Sequence, residues 1–127
     1  MKKLKGIDGK LDIAWSYLVK LRAGGKCEYK NCGKTKPLNS HHIFSRSNRS
    51  VRWDVENGIC LCVGHHTFSN DSAHKNGVGF TMWLIETRGQ QFVDDLTLKA
   101  HQTKKWSKVE KEELLQELLD EIKKYEK

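Results

Sequence analysis

Between Ser40 and His66 the chain places four of its six histidines and two of its four cysteines. The stretch reads Ser40-His41-His42-Ile43, then Asn57-Gly58-Ile59-Cys60-Leu61-Cys62, then Val63-Gly64-His65-His66. Two adjacent histidine pairs are poorly explained by packing, since each buried imidazole needs its own polar partners. Neutral imidazole is the commonest metal ligand and a general base near neutral pH, so this density points to a metal-dependent site. Cys27-x4-Cys32 and Cys62-x2-His65 add two close ligand pairs about 30 residues apart. Thiolates with imidazole in a four-ligand set favour tetrahedral zinc. Cys60 competes with His65 for the fourth place, because in an extended strand Cys60 and Cys62 point the same way. The pair Cys62 and His65, spaced across a turn, is the preferred choice. Cys60 is then a small core residue. Such a closed structural site leaves His41, His42 and His66 for chemistry.

The elements that would position these residues can be read in outline. Leu11, Ala14, Trp15, Leu18 and Leu21 follow helical spacing, with residues 1–10 frayed before them and Ala23-Gly24-Gly25 ending the helix. Cys27 to Gly33 is a two-cysteine knuckle. Leu38–Phe44 and Ile59–Val63 read as the strands of a hairpin. Ser45–Arg52 between them is a polar loop with Arg46, Arg49 and Arg52 at threefold spacing. A helix is expected from His65, reaching His74 before Asn76-Gly77. Phe80, Trp83 and Leu84 mark another helix, ended by Arg88-Gly89, and Phe92 with Leu96 a further one. Ser107-Lys108-Val109-Glu110 fits a capping box. Leu114, Leu115, Leu118, Leu119, Ile122 and Tyr125 then form an apolar stripe suited to core or helix–helix contact.

The 127 residues suit a single domain, 1–127. Charged residues make up 31% and hydrophobic ones 37%, so the core is modest and a structural metal would support it. Net charge is +7. Residues 1–52 carry 13 Lys/Arg against 3 Asp/Glu, and the remainder 10 against 13. A basic half beside the histidine-rich stretch suggests a polyanion partner, nucleic acid foremost. The three loop arginines are candidate phosphate contacts, which position DNA without reading its sequence. There is no signal peptide pattern and no apolar run long enough to span a membrane, so a cytosolic setting is expected. Cysteines there serve metal or remain free thiols.

The order His-His-Ile, Asn57, Cys-x-x-His-His resembles the HNH endonuclease family, and most of all the small HNH nucleases common in phage genomes that carry a Cys-type zinc site. The resemblance covers roughly residues 23–75; the helical part, about 78–127, matches no motif of the family. It implies an α+β fold whose ββα-metal core is a hairpin and helix gripping one divalent ion, with the zinc knuckle beside it and helices flanking both. It also implies DNA phosphodiester hydrolysis by nicking or double-strand cleavage; with no base-reading helix in the sequence, weak sequence preference or preference for a DNA structure is expected. By position, His41 resembles the first metal ligand, His42 the general base, Asn57 the residue bracing the loop that carries the base, and His66 the second ligand. Asn70, at i+4 from His66, resembles a further ligand. His74 is the lesser alternative, read rather as a surface or DNA-contacting residue. The catalytic ion implied is Mg²⁺ or Mn²⁺, with Ni²⁺, Co²⁺ or Zn²⁺ also accepted by imidazoles. DNA is the expected partner, with other phage DNA-processing proteins and the host cytosol following if the gene is a phage one. The rival reading is a catalytically inactive zinc-knuckle DNA-binding module.

Overall fold

A computed structural model describes residues 6–68 and 72–126. The fold is α+β: a two-stranded antiparallel sheet with helices packed around it. Helix α1 spans Gly6–Arg22. It begins five residues earlier than the apolar spacing indicates, so Gly6–Lys10 belong to the helix rather than to a frayed lead. Asp8 in the first turn and Lys20 and Arg22 in the last suit the helix dipole. Gly24 and Gly25, both at φ +70°, supply the left-handed backbone that stops it.

Strand β1 (Leu38–His42) pairs with β2 (Gly58–Cys62) in the register Leu38 to Cys62 and His42 to Gly58. The second strand is buried along its whole length, with core on both sides. On one side lie Leu11, Ala14, Trp15, Leu18 and Val19 of α1, with Trp53, Cys60 and two residues of the last helix. On the other lie Cys27, Tyr29, Ile59, Leu61, Cys62, Phe80 and Leu84. Each large apolar side chain fully buried here contributes about 1.5–3 kcal/mol. The approach of α1 to the hairpin demands Gly58. A Cβ there would meet the Val19 side chain and stand 2.9 Å from the Trp15 ring.

After β2 the structure departs from the expected helix through His74. Among the described residues a π-helical turn, Gly64–Phe68, carries His65 and His66, and a turn at 72–75 carries His74. The Ala73 amide donates to the His65 carbonyl at 2.8 Å and the His74 amide to that of His66 at 3.3 Å. The chain therefore folds back on itself here. Helices α2 (Gly77–Arg88) and α3 (Gln90–Ala100) follow. Asn76, read from sequence as an interruption, caps α2 by accepting from the Gly79 amide. Helix α4 (Lys108–Tyr125) starts with the expected capping box of Ser107 and Glu110. Its Leu118 and Ile122 pack on α1 with Leu114 and Leu115 partly buried beside them, so these four form core, while Leu119 and Tyr125 of the stripe are exposed. Among the described residues, no helix is long and apolar enough to cross a membrane.

Candidate metal centres

The knuckle and the start of the π-turn bring Cys27, Cys32, Cys62 and His65 together, their ligand atoms all within 4.8 Å of one another. Cys27 Sγ and Cys62 Sγ each lie 3.5 Å from His65 Nδ1. A tetrahedral zinc with ordinary Zn–S and Zn–N bonds sets such atoms about 3.5 Å apart, so this donor set fits the ion. The His65 amide points at Cys62 Sγ, 3.4 Å away, and Tyr29 packs edge-on against the His65 ring at 5.1 Å. Burial and the neighbouring Cys62 push the Cys27 thiol up to about 11. Burial also opposes ionisation of Cys62. It is outweighed by hydrogen bonds from the His65 amide and the thiols of Cys27 and Cys32, and the Cys62 pKa falls below the ordinary thiol value. This eases Cys62 toward the thiolate, the form that binds metal.

Cys60 stands outside this cluster. It is fully buried among α1 and α4, and burial together with the Glu28 carboxylate raises its thiol to about 11. Cys60 and Cys62 are two apart, yet they end in different cores. Strand β2 terminates at Cys62, where the chain turns away through Val63 and Gly64.

A second cluster comprises His41, His66 and His74, again with ligand atoms within 4.8 Å. His66 Nε2 and His74 Nε2 are 3.0 Å apart, and the His41 ring sits 5.0 Å from that of His66 and 5.3 Å from that of His74. Burial, then the nearby imidazoles, lowers His41 to about 3; burial and His74 lower His66 as well. Both rings are therefore held neutral, as ligands must be. The HNH resemblance favoured Asn70 as the further ligand and left His74 as the lesser alternative; in a continuous helix His74 would lie about 12 Å along the axis from His66. The fold-back after the π-turn removes that separation. Asn70 lies outside the described residues.

His42 faces the other way, as adjacent strand residues do. Its ring stacks on Trp15 at 3.8 Å and 10°, and Trp15 is itself fixed by its indole N–H to the Asp54 carbonyl at 2.8 Å. His42 Nε2 lies 3.0 Å from the Arg52 carbonyl. A carbonyl only accepts, so Nε2 carries the hydrogen and Nδ1 keeps the lone pair in the neutral ring. Burial lowers the His42 pKa, more than the Arg52 carbonyl raises it. Asn57, fully buried, accepts from the Phe44 amide at 2.8 Å and donates to the carbonyls of Phe44 and Val51. It ties both ends of the arginine loop to β2.

The three arginines differ. Arg52 grips Asp12 through two nitrogens at 3.1 and 2.8 Å, and Trp53 donates to the same carboxylate. Arg46 reaches Asp12 at 3.1 Å and Arg49 reaches Asp8 at 3.5 Å, both from exposed side chains. Sequence reasoning missed Asn39, whose amide group lies 3.1 Å from His66 Nδ1 and steadies that ring. Asn39 is two residues before His41 on the same strand face, the signal that pointed to it. It also missed Trp15 as the platform for His42, a contact between segments that no local spacing reveals. In comparisons with known proteins, no family model matches the chain, and neither a curated protein nor a solved structure does.

Proposed function

We propose that the chain is a metal-dependent DNA endonuclease of the HNH type, with a structural zinc on Cys27, Cys32, Cys62 and His65 and a catalytic divalent ion on His41, His66 and His74. The observation that carries the reading is the sorting of His41 and His42. One joins a cluster of three imidazoles outside the Cys/His set, and the other stands alone, neutral and oriented, on the opposite face of the same strand. A zinc module without activity has no task for either residue.

The divalent ion supplies Lewis-acid stabilisation of charge on the phosphate and on the departing oxygen. His42 Nδ1 accepts a proton from water as the water oxygen bonds to phosphorus, and the bond from phosphorus to the leaving oxygen breaks. That oxygen leaves protonated by solvent. The Arg52 carbonyl stabilises the imidazolium that forms, and Trp15 restricts its rotation. The His41, His66 and His74 donor set leaves coordination positions for water and phosphate oxygen. It suits Mn²⁺, Ni²⁺, Co²⁺ or Zn²⁺ better than Mg²⁺, which prefers oxygen donors. The expected substrate is duplex DNA read chiefly through its backbone. The test is nicking of supercoiled plasmid with each ion added to zinc-loaded protein. Nicking that needs an added ion and is lost in His42→Ala supports the reading. Tight DNA binding without nicking under any ion replaces it with the inactive zinc-module reading.

A further inference from the structure

The segment joining α3 to α4, residues 101–107, is not part of the histidine-rich region, yet it is fastened to the arginine loop. Trp106 Nε1 donates to the Arg49 carbonyl at 2.9 Å, and Ser50 Oγ donates to the Ala100 carbonyl at 3.4 Å. The Trp106 ring meets Trp53 edge-on at 5.8 Å, and the Lys104 ammonium lies 4.7 Å from the centre of that same Trp106 ring. The arginine loop in turn touches the proposed base, through the Arg52 carbonyl on His42. A continuous built surface therefore runs from His42 along the loop to the start of α4.

Charge decides what this surface fits. Arg52 is committed to Asp12, while Arg46, Arg49 and Lys111 share Asp12 and Asp8 of α1, so the loop keeps a net positive charge that the linker lysines would extend. Lys105 and Lys108 are exposed and form no ion pair with a described carboxylate, while Lys104 is shared with Glu110. Farther along α4, Glu117, Asp120 and Glu121 line a groove with Asp54, which phosphate would avoid.

We propose that Lys105 and Lys108, held against the arginine loop by Trp106, form a second phosphate-gripping surface, and that duplex DNA engaged at His42 lies across loop and linker together. The inference rests on the nuclease reading for the position of the cleaved bond. Each phosphate neutralised contributes about −0.9 to the slope of log K against log salt. Two lysines set the expected loss.

The experiment measures binding of a short duplex by fluorescence anisotropy across a salt series, using the zinc-loaded full chain, and plasmid nicking kinetics in parallel. In Lys105→Ala/Lys108→Ala the slope should fall by about 1.8. KM for nicking should rise severalfold with kcat unchanged, and melting temperature should stay put. Lys123→Ala/Lys124→Ala, at the far end of α4, should leave slope and KM as in wild type. A linker variant with unaltered slope in a chain that nicks overturns the surface and spares the nuclease reading. Equal losses in the two lysine pairs also overturn it, since net charge alone would then explain binding. A slope that depends on Lys105 and Lys108 in a chain that never nicks supports the surface and overturns the nuclease reading. Wild-type chain that does not bind duplex overturns both.

Discussion

Exchange of Cys62 for Ser would separate the proposed structural zinc from the proposed catalytic ion. Cys62 is the hinge of the zinc cluster: its sulfur lies 3.5 Å from His65 Nδ1, receives the His65 amide, and is buried in the core that holds Tyr29, Ile59, Leu61 and Phe80. A structural zinc contributes on the order of 10–16 kcal/mol in small zinc domains, whereas a native domain has only about 5–15 kcal/mol of net stability. Losing the ion thus removes as much as the fold has to spare. Cys62→Ser, and likewise Cys27→Ser, Cys32→Ser and His65→Ala, should lose zinc, thermal stability and activity together. Cys60→Ser sets the scale for a cysteine that binds nothing. Its hydroxyl would be buried without a partner, costing about 1–3 kcal/mol, with zinc retained. His66→Ala should also keep zinc, despite its adjacency to His65, and lose only the ion-dependent activity. The assay is zinc per chain by atomic absorption alongside a thermal melt. Zinc lost in Cys60→Ser but kept in His65→Ala would refute the ligand assignment. Zinc lost and the chain unfolded in His66→Ala would refute the separation of the two centres.

The same structure fixes the direction of further outcomes. His42→Ala should keep zinc and the melting temperature and reduce nicking by roughly 10²-fold or more, measured as single-turnover rate; a rate near wild type would remove His42 from the reaction. Because burial holds the His42 pKa below the ordinary 6.5, the ring is neutral through neutral pH. Activity should therefore rise with pH along an acid limb whose midpoint lies below 6.5, and a midpoint above 6.5 would contradict a buried base. His74→Ala should weaken binding of added Co²⁺ or Mn²⁺ at least tenfold by calorimetry with zinc content unchanged, by analogy with the loss of one shell partner. Unchanged affinity would place the third ligand elsewhere. Gly58→Ala forces a Cβ against Val19 and Trp15 and should cost about 1–3 kcal/mol, read as a lower urea midpoint.

How far the sequence reveals this depends on the range of each interaction. The hairpin, the capping box and the core part of the α4 stripe follow from local spacing, and the structure places Cys27, Cys32, Cys62 and His65 together, able to hold a metal, as that spacing implies. The start of α1 was not legible, because Gly6-Ile7-Asp8-Gly9-Lys10 has weak helix propensity and is held by packing, with Gly9 buried and Ile7 against the core. That His74 comes beside His41 and His66 was not legible, because the expected continuous α-helix after His66 would separate them. The carbonyls of His65 and His66 instead accept amides from residues eight positions on. The arginines looked like free phosphate contacts because sequence does not show that Asp8 and Asp12 of α1 face them across more than 30 positions.

The two cores divide the work along one hairpin. The Cys/His cluster and the three imidazoles share the side of β2 that packs with Tyr29 and Phe80, so the proposed catalytic ion would be positioned by the same core that a zinc on the cluster would stabilise. His42 belongs to the other side, against Trp15 of α1, whose packing is completed by Leu118 and Ile122 of α4. Under the proposed function, helices outside the resemblance would fix the base, and the Cys/His region would fix the ion. The two are joined through β1 and β2, where the register His41 to Ile59 and His42 to Gly58 would set the proposed base against the proposed ion. A strand pair transmits position but not rotation of individual rings, so each ring needs its own anchor. Asn39 provides it for His66, and the Arg52 carbonyl with Trp15 provides it for His42. If the proposed function holds, Gly58 therefore bears on chemistry as well as stability: it lies opposite His42 and under Trp15, and a side chain there would shift the proposed base relative to an ion on the other core.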